Sequence, residues 1–318
     1  MSQPEPHSRR TAHRQGLFGR FGLSGLFGSF GLIGLLVSAG AWAEDLVSFG
    51  FYQASRAEMS RADVRTAFDL WALELGERFQ VRIKVRYFED PALMHEAFLR
   101  EEINGVTADA TTLARHFKPD ELAEGYSVAM PGGFNLQLLA AKDSAITGIK
   151  DLAGKRVTLT EGDGTAELYL ESLCLRQFGR DCHHVFAEVQ RVPNNHQAIM
   201  RVFFGKADLA LSYRYSLELA KEMNPQLDRK VGRVIAEMPI ASMYYAFFGA
   251  KVDKDFRQRT LRMIPTLHTY PRGRQLLDLF KMDHLELAEP SELKPFIQLE
   301  KEVREMKARG SRKEARRS

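Results

Sequence analysis

The chain has 318 residues, 44% of them apolar and 27% charged, the balance of an ordinary globular protein with room for one large or two medium domains. These figures exclude a disordered chain, a disulfide-stapled miniprotein and a polytopic membrane protein. The formal net charge of +4 sits at the ends: residues 1–43 carry +3, residues 301–318 carry +5, and the body between them carries −4. The basic balance is therefore poor support for a nucleic-acid-binding body.

Arg9, Arg10, Arg14 and Arg20 precede an uncharged run from Phe21 to Ala43, which closes on Ala41-Trp42-Ala43 before Glu44 and Asp45. A basic start, an apolar middle and an A-x-A end predict a secretory signal peptide over residues 1–43 and a freely diffusing periplasmic protein. The same run is long enough to remain as an uncleaved anchor, although glycines from Gly22 to Gly40 weaken such a helix. Both cysteines, Cys174 and Cys182, fall in the exported part. An oxidising compartment permits a disulfide between them, whereas the short loop and a helical Cys174 oppose it. Cys182-His183-His184 reads as a surface turn rather than a metal centre, because adjacent His residues point apart and no second ligand pair has metal-site spacing.

After the leader, Leu46–Phe51 predicts a buried strand, followed by a loop carrying Tyr52 and Gln53. Residues 61–76 predict a helix with Val64, Ala67, Phe68, Trp71 and Leu75 on one face and Gly76 as its stop. Val81, Ile83 and Val85 alternate with Arg82, Lys84 and Arg86, the period of a half-buried strand. Pro91 opens a helix to Glu102 with Leu93, Ala97 and Phe98 inward. Asn104-Gly105 turns the chain, and Val106–Thr112 predicts a third strand.

The same order then returns. Arg156–Thr160 is a strand, Glu161-Gly162-Asp163-Gly164 a glycine-rich loop, and Thr165–Phe178 a helix burying Ala166, Leu170, Leu173 and Cys174, with Gly179 after its end. Val185–Val192 is a strand, Asn194-Asn195 caps a helix running to Phe204 and stopped at Gly205, and Ala207–Leu211 closes the unit. Strand–helix alternation predicts parallel sheets covered by helices, and two such units predict two α/β lobes. The chain passes between them near Phe134–Ala141 and returns near Pro239–Phe248, where Ala246-Phe247-Phe248 reads as a strand of lobe one. Helices near 255–264 and 271–281 then pack on that lobe. The expected organisation is a leader (1–43), lobe one (44–137), lobe two (138–242), the return to lobe one (243–292) and a charged C-terminal helix and tail (293–318), solvated and fraying from Glu300 to Ser318. Two open sheets place the carboxyl ends of their strands on one cleft.

The passages Leu138–Ser144 and Ile149-Lys150-Asp151-Leu152-Ala153-Gly154-Lys155-Arg156-Val157 resemble those of the type II periplasmic solute-binding proteins. Val192-Pro193-Asn194-Asn195-His196 and the later Gly205-x-Ala207-Asp208 are similar, within that fold, to the phosphate/phosphite/phosphonate-type binding proteins of ABC importers. The resemblance spans Leu46 to Leu285 and implies an α/β fold of two Rossmann-like lobes with a hinge and an interlobe cleft. It also implies an oxyanion site on a Ser/Thr-rich turn at a helix start, matching Glu161 to Thr165. A helix start offers free N–H groups and a positive dipole end to an anion. Here the hydroxyl run is replaced by Gly162-Asp163-Gly164-Thr165, and Asp163 suits either a helix cap or a ligand contact. His196 matches a ligand-facing His of the family. The candidate ligand-binding residues are Tyr52, Gln53, Thr112, Asp163, Gly164, Thr165, Asn195, His196, Ser212 and Tyr213, with Arg214 a solvated alternative and Tyr244 and Tyr245 assigned to the return crossing.

No G-x-S-x-G, P-loop, HExxH or dinucleotide fingerprint is present, so the expectation is a non-enzyme without cofactor or metal. Ligand capture by lobe closure is a sufficient mechanism. The expected partners are a small, oxyanionic, phosphonate- or phosphate-like solute and the membrane permease of an ABC importer. The alternative is a sensing module that reports to a two-component sensor kinase. Nucleic acid is not an expected partner, and the expected state is a monomer.

Overall fold

The computed structural model describes residues 46–52, 61–130 and 133–315. The leader and Gln53 lie outside these residues. In chain order the elements are β1 (Leu46–Tyr52), α1 (Arg61–Phe79), β2 (Arg82–Phe88), α2 (Pro91–Leu99), β3 (Gly105–Asp109), α3 (Ala110–His116) and β4 (Leu122–Ala129). There follow β5 (Leu136–Ala141), β6 (Arg156–Thr160), α4 (Gly164–Phe178), α5 (Cys182–Val185), β7 (Glu188–Val192), α6 (Asn195–Phe203), β8 (Leu209–Tyr213), α7 (Arg214–Met223), α8 (Gln226–Lys230) and β9 (Val231–Met238). The chain ends with β10 (Tyr244–Gly249), α9 (Lys254–Met263), α10 (Pro271–Leu279), β11 (His284–Ala288) and α11 (Lys294–Ala315).

Two sheets result, in the orders β11-β4-β10-β3-β1-β2 and β7-β6-β8-β5-β9. In lobe one β1 pairs parallel to both β2 and β3, with Phe49 opposite Val85 and Gly105. In lobe two β6 pairs parallel to β7 and β8. The sheets are mixed rather than wholly parallel. The returning strand β10 runs antiparallel between β3 and β4, and β5 runs antiparallel to β8 and β9. A strand that enters a lobe directly from its neighbour, without a crossover helix, runs against the βαβ strands. The chain crosses between β4 and β5 and again between β9 and β10.

Several local expectations shift. Helix α1 runs through Gly76 and ends where Gln80 adopts φ 55°. Gly76 is needed for space, since a Cβ there would sit 2.8 Å from the Val81 carbonyl oxygen. On α2 the inward residue is Met94, while Leu93 faces out. Strand β3 stops at Asp109, which caps α3, so Thr112 lies in a helix and not at a strand end. Its N–H and hydroxyl both donate to the Asp109 carboxylate, at 3.0 and 2.6 Å. The expected strand from Val185 begins only at Glu188, because Asp181 caps one helical turn, α5, before it. Strands β4, β5, β9 and β11 were not expected, and β5 occupies the stretch read as the first crossing. The tail is not merely solvated: α11 buries Phe296 and Val303 and packs on α3 of lobe one and α4 of lobe two.

Candidate ligand-binding cleft

The turn after β6 shapes the lobe-two side of the cleft. Gly162 takes φ 68°, a left-handed value that glycine adopts at little cost. The chain then enters α4 with Asp163 as its N-cap, the Asp163 carboxylate accepting the Ala166 N–H at 2.9 Å. The same carboxylate accepts the Tyr213 hydroxyl at 3.1 Å, and Asp163 is 1% exposed. Its charge is thus met by two donors and by the positive end of α4. Next to it Asn194 caps α6, accepting the Gln197 N–H at 2.9 Å. Asn195 follows, buried, and its Oδ1 accepts the Ser212 hydroxyl at 3.2 Å. The starts of α4 and α6 follow the adjacent strands β6 and β7, at their carboxyl ends.

From lobe one, the first turn of α3 reaches across. The Thr111 and Thr165 hydroxyls share a short hydrogen bond between the lobes, and both residues are buried. Gly164 lies against α3: a Cβ there would come within 3.3 Å of an Arg115 guanidinium nitrogen and 3.6 Å of Thr111. Arg115 in turn pairs with Glu300 of α11.

Between the lobes lies a cavity of about 340 Å³. Lobe one contributes Phe51, Phe68, Trp71, Thr107 and Tyr126, and α10 and its following turn contribute Phe280, Lys281 and Met282. The two crossings supply Met130, Phe134 and Met243, the start of β10 supplies Tyr244, and lobe two supplies Asp163, Asn195, Tyr215 and Leu219. Among the described residues that line it, Asp163 is the anion and Lys281, exposed at the rim, is the cation. Burial pushes the Tyr126 hydroxyl up to about 12, so it stays a neutral donor at physiological pH. Burial, and then the Glu292 carboxylate, also raise Tyr245. Among the described residues no cluster of His, Cys, Asp or Glu is placed to hold a metal ion.

Tyr244 and Tyr245 of the return crossing line the cavity, and of the candidate ligand-binding residues it brings together Asp163 and Asn195. Ser212 and Tyr213 stand behind them, fully buried, each holding one of the two by a hydrogen bond. Gly164 and Thr165 face α3 at the lobe contact. Tyr52 is half-buried and packs on the core of lobe one. His196 is half-buried in the first turn of α6, and Arg214 is exposed at the start of α7. Asp163 is a cap and a cavity wall at once. Sequence reading placed Tyr244 and Tyr245 at the return crossing and Phe68 and Trp71 on a helix face, but missed that they line the cavity together with Tyr126, Tyr215 and Phe280.

A model of the periplasmic substrate-binding protein of phosphonate ABC transporters matches residues 57–293. No curated protein matches the chain. Among solved structures, the chain is similar to PhnD1 from Prochlorococcus marinus, crystallised with methylphosphonate, at a TM-score of 0.62 and 17% identity, over 82% of this chain and 98% of that one. It is similar to the binding protein component of an ABC phosphonate transporter from Pseudomonas aeruginosa, at 0.59 and 12%, over 84% and 89%. It is also similar to a protein from Xanthomonas citri bound to ATP, at 0.61 and 14%, over 83% and 99%. At these identities the likenesses show a shared fold, that of two lobes about a cleft.

Proposed function

We propose a function from one premise: the chain belongs to the phosphonate periplasmic substrate-binding proteins of ABC transporters. It captures a small oxyanionic solute, a phosphonate or a chemical relative, between its lobes and delivers it unchanged to the membrane permease of an importer. Family membership favours this reading over a module that reports to a sensor kinase. The leader over residues 1–43 carries the chain to the periplasm, and the mature protein starts at Glu44.

The observation that carries the reading is the pair of helix starts, α4 and α6, that meet the cavity at Asp163 and Asn195. The first N–H groups of a helix have no intrahelical partner and form its positive dipole end, so an anion gains from those that the caps Asp163 and Asn194 leave over, with the Asp163 charge itself offset by the Ala166 N–H and the Tyr213 hydroxyl. The methylphosphonate held by the Prochlorococcus neighbour is the chemistry to try first. Thermal melting in the presence of methylphosphonate, phosphite and phosphate tests it. A saturable rise in midpoint with at least one of them is expected. An unchanged midpoint with all three, at millimolar concentration, contradicts the oxyanion reading.

A further inference from the structure

The helix starts account for the head of a bound solute, and the cavity walls bear on its body. At about 340 Å³ the cavity falls in the range of pockets for organic ligands, roughly 300–1,000 Å³, far more than a one-carbon phosphonate fills. Its lobe-one wall is a chain of ring contacts: Phe51 to Phe68 at 4.1 Å between centroids, Phe68 to Phe280 at 5.1 Å, and Phe280 to Trp71 at 6.2 Å. Phe134 and Tyr215 meet edge to face at 5.8 Å on the other side. Behind the lobe-one rings a smaller apolar void of about 50 Å³ shares Phe51, Phe68 and Trp71. Ring faces carry the negative side of a quadrupole and offer nothing to an oxyanion, whose desolvation there is costly. An apolar or planar group gains from the same surface in proportion to the area it buries.

We propose that the solute is amphiphilic, with one oxyanionic head at the starts of α4 and α6 and an apolar body of aromatic size against the ring wall. The head rests on the function proposed above; the body rests on the cavity alone. Isothermal titration calorimetry on the full chain with methylphosphonate, phenylphosphonate and benzyl alcohol separates the two. Phenylphosphonate is expected to bind at least about 10-fold tighter than methylphosphonate. Phe280→Ala, on the lobe-one ring wall, is expected to weaken phenylphosphonate about 5-fold or more. Phenylphosphonate no tighter than methylphosphonate overturns the aromatic body and leaves the oxyanion function standing. Binding of benzyl alcohol with neither phosphonate supports the body and overturns the head. Failure of all three to bind overturns both.

A pair of side chains outside the cleft carries a second, independent inference. Cys174 on α4 and Cys182 at the start of α5 are buried, with sulfurs 2.9 Å apart. Helix α4 ends at Phe178, Gly179 turns the chain at φ 64°, and Asp181 caps α5 by accepting the His184 N–H at 3.2 Å. This turn folds Cys182 back onto the helix, so the short loop favours the pairing. The sulfurs lie inside ordinary van der Waals contact. We infer that Cys174 and Cys182 are joined by a disulfide in the exported protein. One thiolate attacks the disulfide of an oxidant, an oxidoreductase or oxidised glutathione, to give a mixed disulfide. The second thiolate then displaces the oxidant's remaining sulfur. Two protons and two electrons leave the cysteines, and the oxidant becomes two thiols. The Cys174 contact, and then burial, hold the Cys182 thiol well above its ordinary value, so exchange belongs to folding rather than to the closed native turn. Mass spectrometry after alkylation of protein isolated from periplasm, unfolded without reductant, tests it. No alkyl label is expected without reductant and two labels after reduction; two labels without reductant overturn the pairing.

Discussion

At Asp208 the carboxylate accepts the Arg156 backbone N–H at 2.8 Å and the Arg156 guanidinium at 3.1 and 2.9 Å. The Arg156 guanidinium also donates to the Gly205 carbonyl at 3.1 Å. The Gly205-x-Ala207-Asp208 phrase therefore staples the start of β6 to the approach to β8, and its role is in the scaffold. The Arg156 hydrogen bond, the largest cause, holds the Asp208 carboxyl below its ordinary value. A depressed native pKa adds stability above the unfolded-state value, and that stability is lost as pH falls through the native value. Asp208→Asn is expected to melt lower than the parent at neutral pH, with the two curves converging in the acid range below about pH 4. A constant gap across that range refutes the assignment. Asp163 is the residue of the cleft with most at stake. Asp163→Ala removes a helix cap and a buried partner of Tyr213, and equilibrium urea unfolding should show a loss of about 1–3 kcal/mol. Asp163→Asn, which still accepts the Ala166 N–H, should lose less. Polar residues such as Asp163 and Asn195 were legible because helix starts announce themselves by cap residues after glycine or proline. Trp71, Tyr126 and Phe280 were not, since an apolar side chain has the same sequence pattern whether it faces the core or a cavity.

Among elements, β4 is the clearest case of what sequence period misses. Gly125 sits in its middle because a Cβ there would lie 1.9 Å from the Ala246 carbonyl oxygen, beside the irregular register at Phe247/Phe248. The glycine and the flanking Glu124 break the alternation that marks a strand. Gly125→Ala forces β4 and β10 apart in the middle of the lobe-one sheet, and a loss of about 3 kcal/mol or more is expected on denaturant unfolding. A variant with unchanged midpoint contradicts the pairing of β4 with β10. Of the other missed strands, β9 and β11 are edges of their sheets. They carry Arg233 and Glu237, and Glu286, on exposed or half-buried positions, the charge that edge strands use against pairing with other chains. By contrast α1, α4 and α6 were readable because their buried residues recur at helical spacing, as Val64, Ala67, Trp71 and Leu75 do on α1.

Across the whole molecule, the repeat of strand–helix units gave away two lobes, and the apolar run Ala246–Phe248 gave away the return to lobe one. The contacts between lobes were not legible, because they join residues far apart in sequence: Thr111 with Thr165, and α11 with both α3 and α4. Helix α11 spans the pair through Glu300 with Arg115, Glu302 with Arg176 at 2.5 Å, and Lys307 with Glu171 at 2.8 Å. Exposed pairs of this kind contribute little singly, so the buried Thr111–Thr165 hydrogen bond and the burial of Phe296 and Val303 under α11 are the larger part of the contact between lobes. On the proposed function, a solute that touches both walls adds to these contacts and stabilises the closed arrangement by its differential affinity. The chain contains two tryptophans, Trp42 before Glu44 and Trp71 on the cavity wall. In a Trp42→Phe variant, Trp71 emission alone reports on the cavity. Titration with a phosphonate that binds by calorimetry is predicted to change that emission saturably, with the same midpoint as the heat. Calorimetric binding with Trp71 emission unchanged would place the solute outside the interlobe cavity and contradict the account.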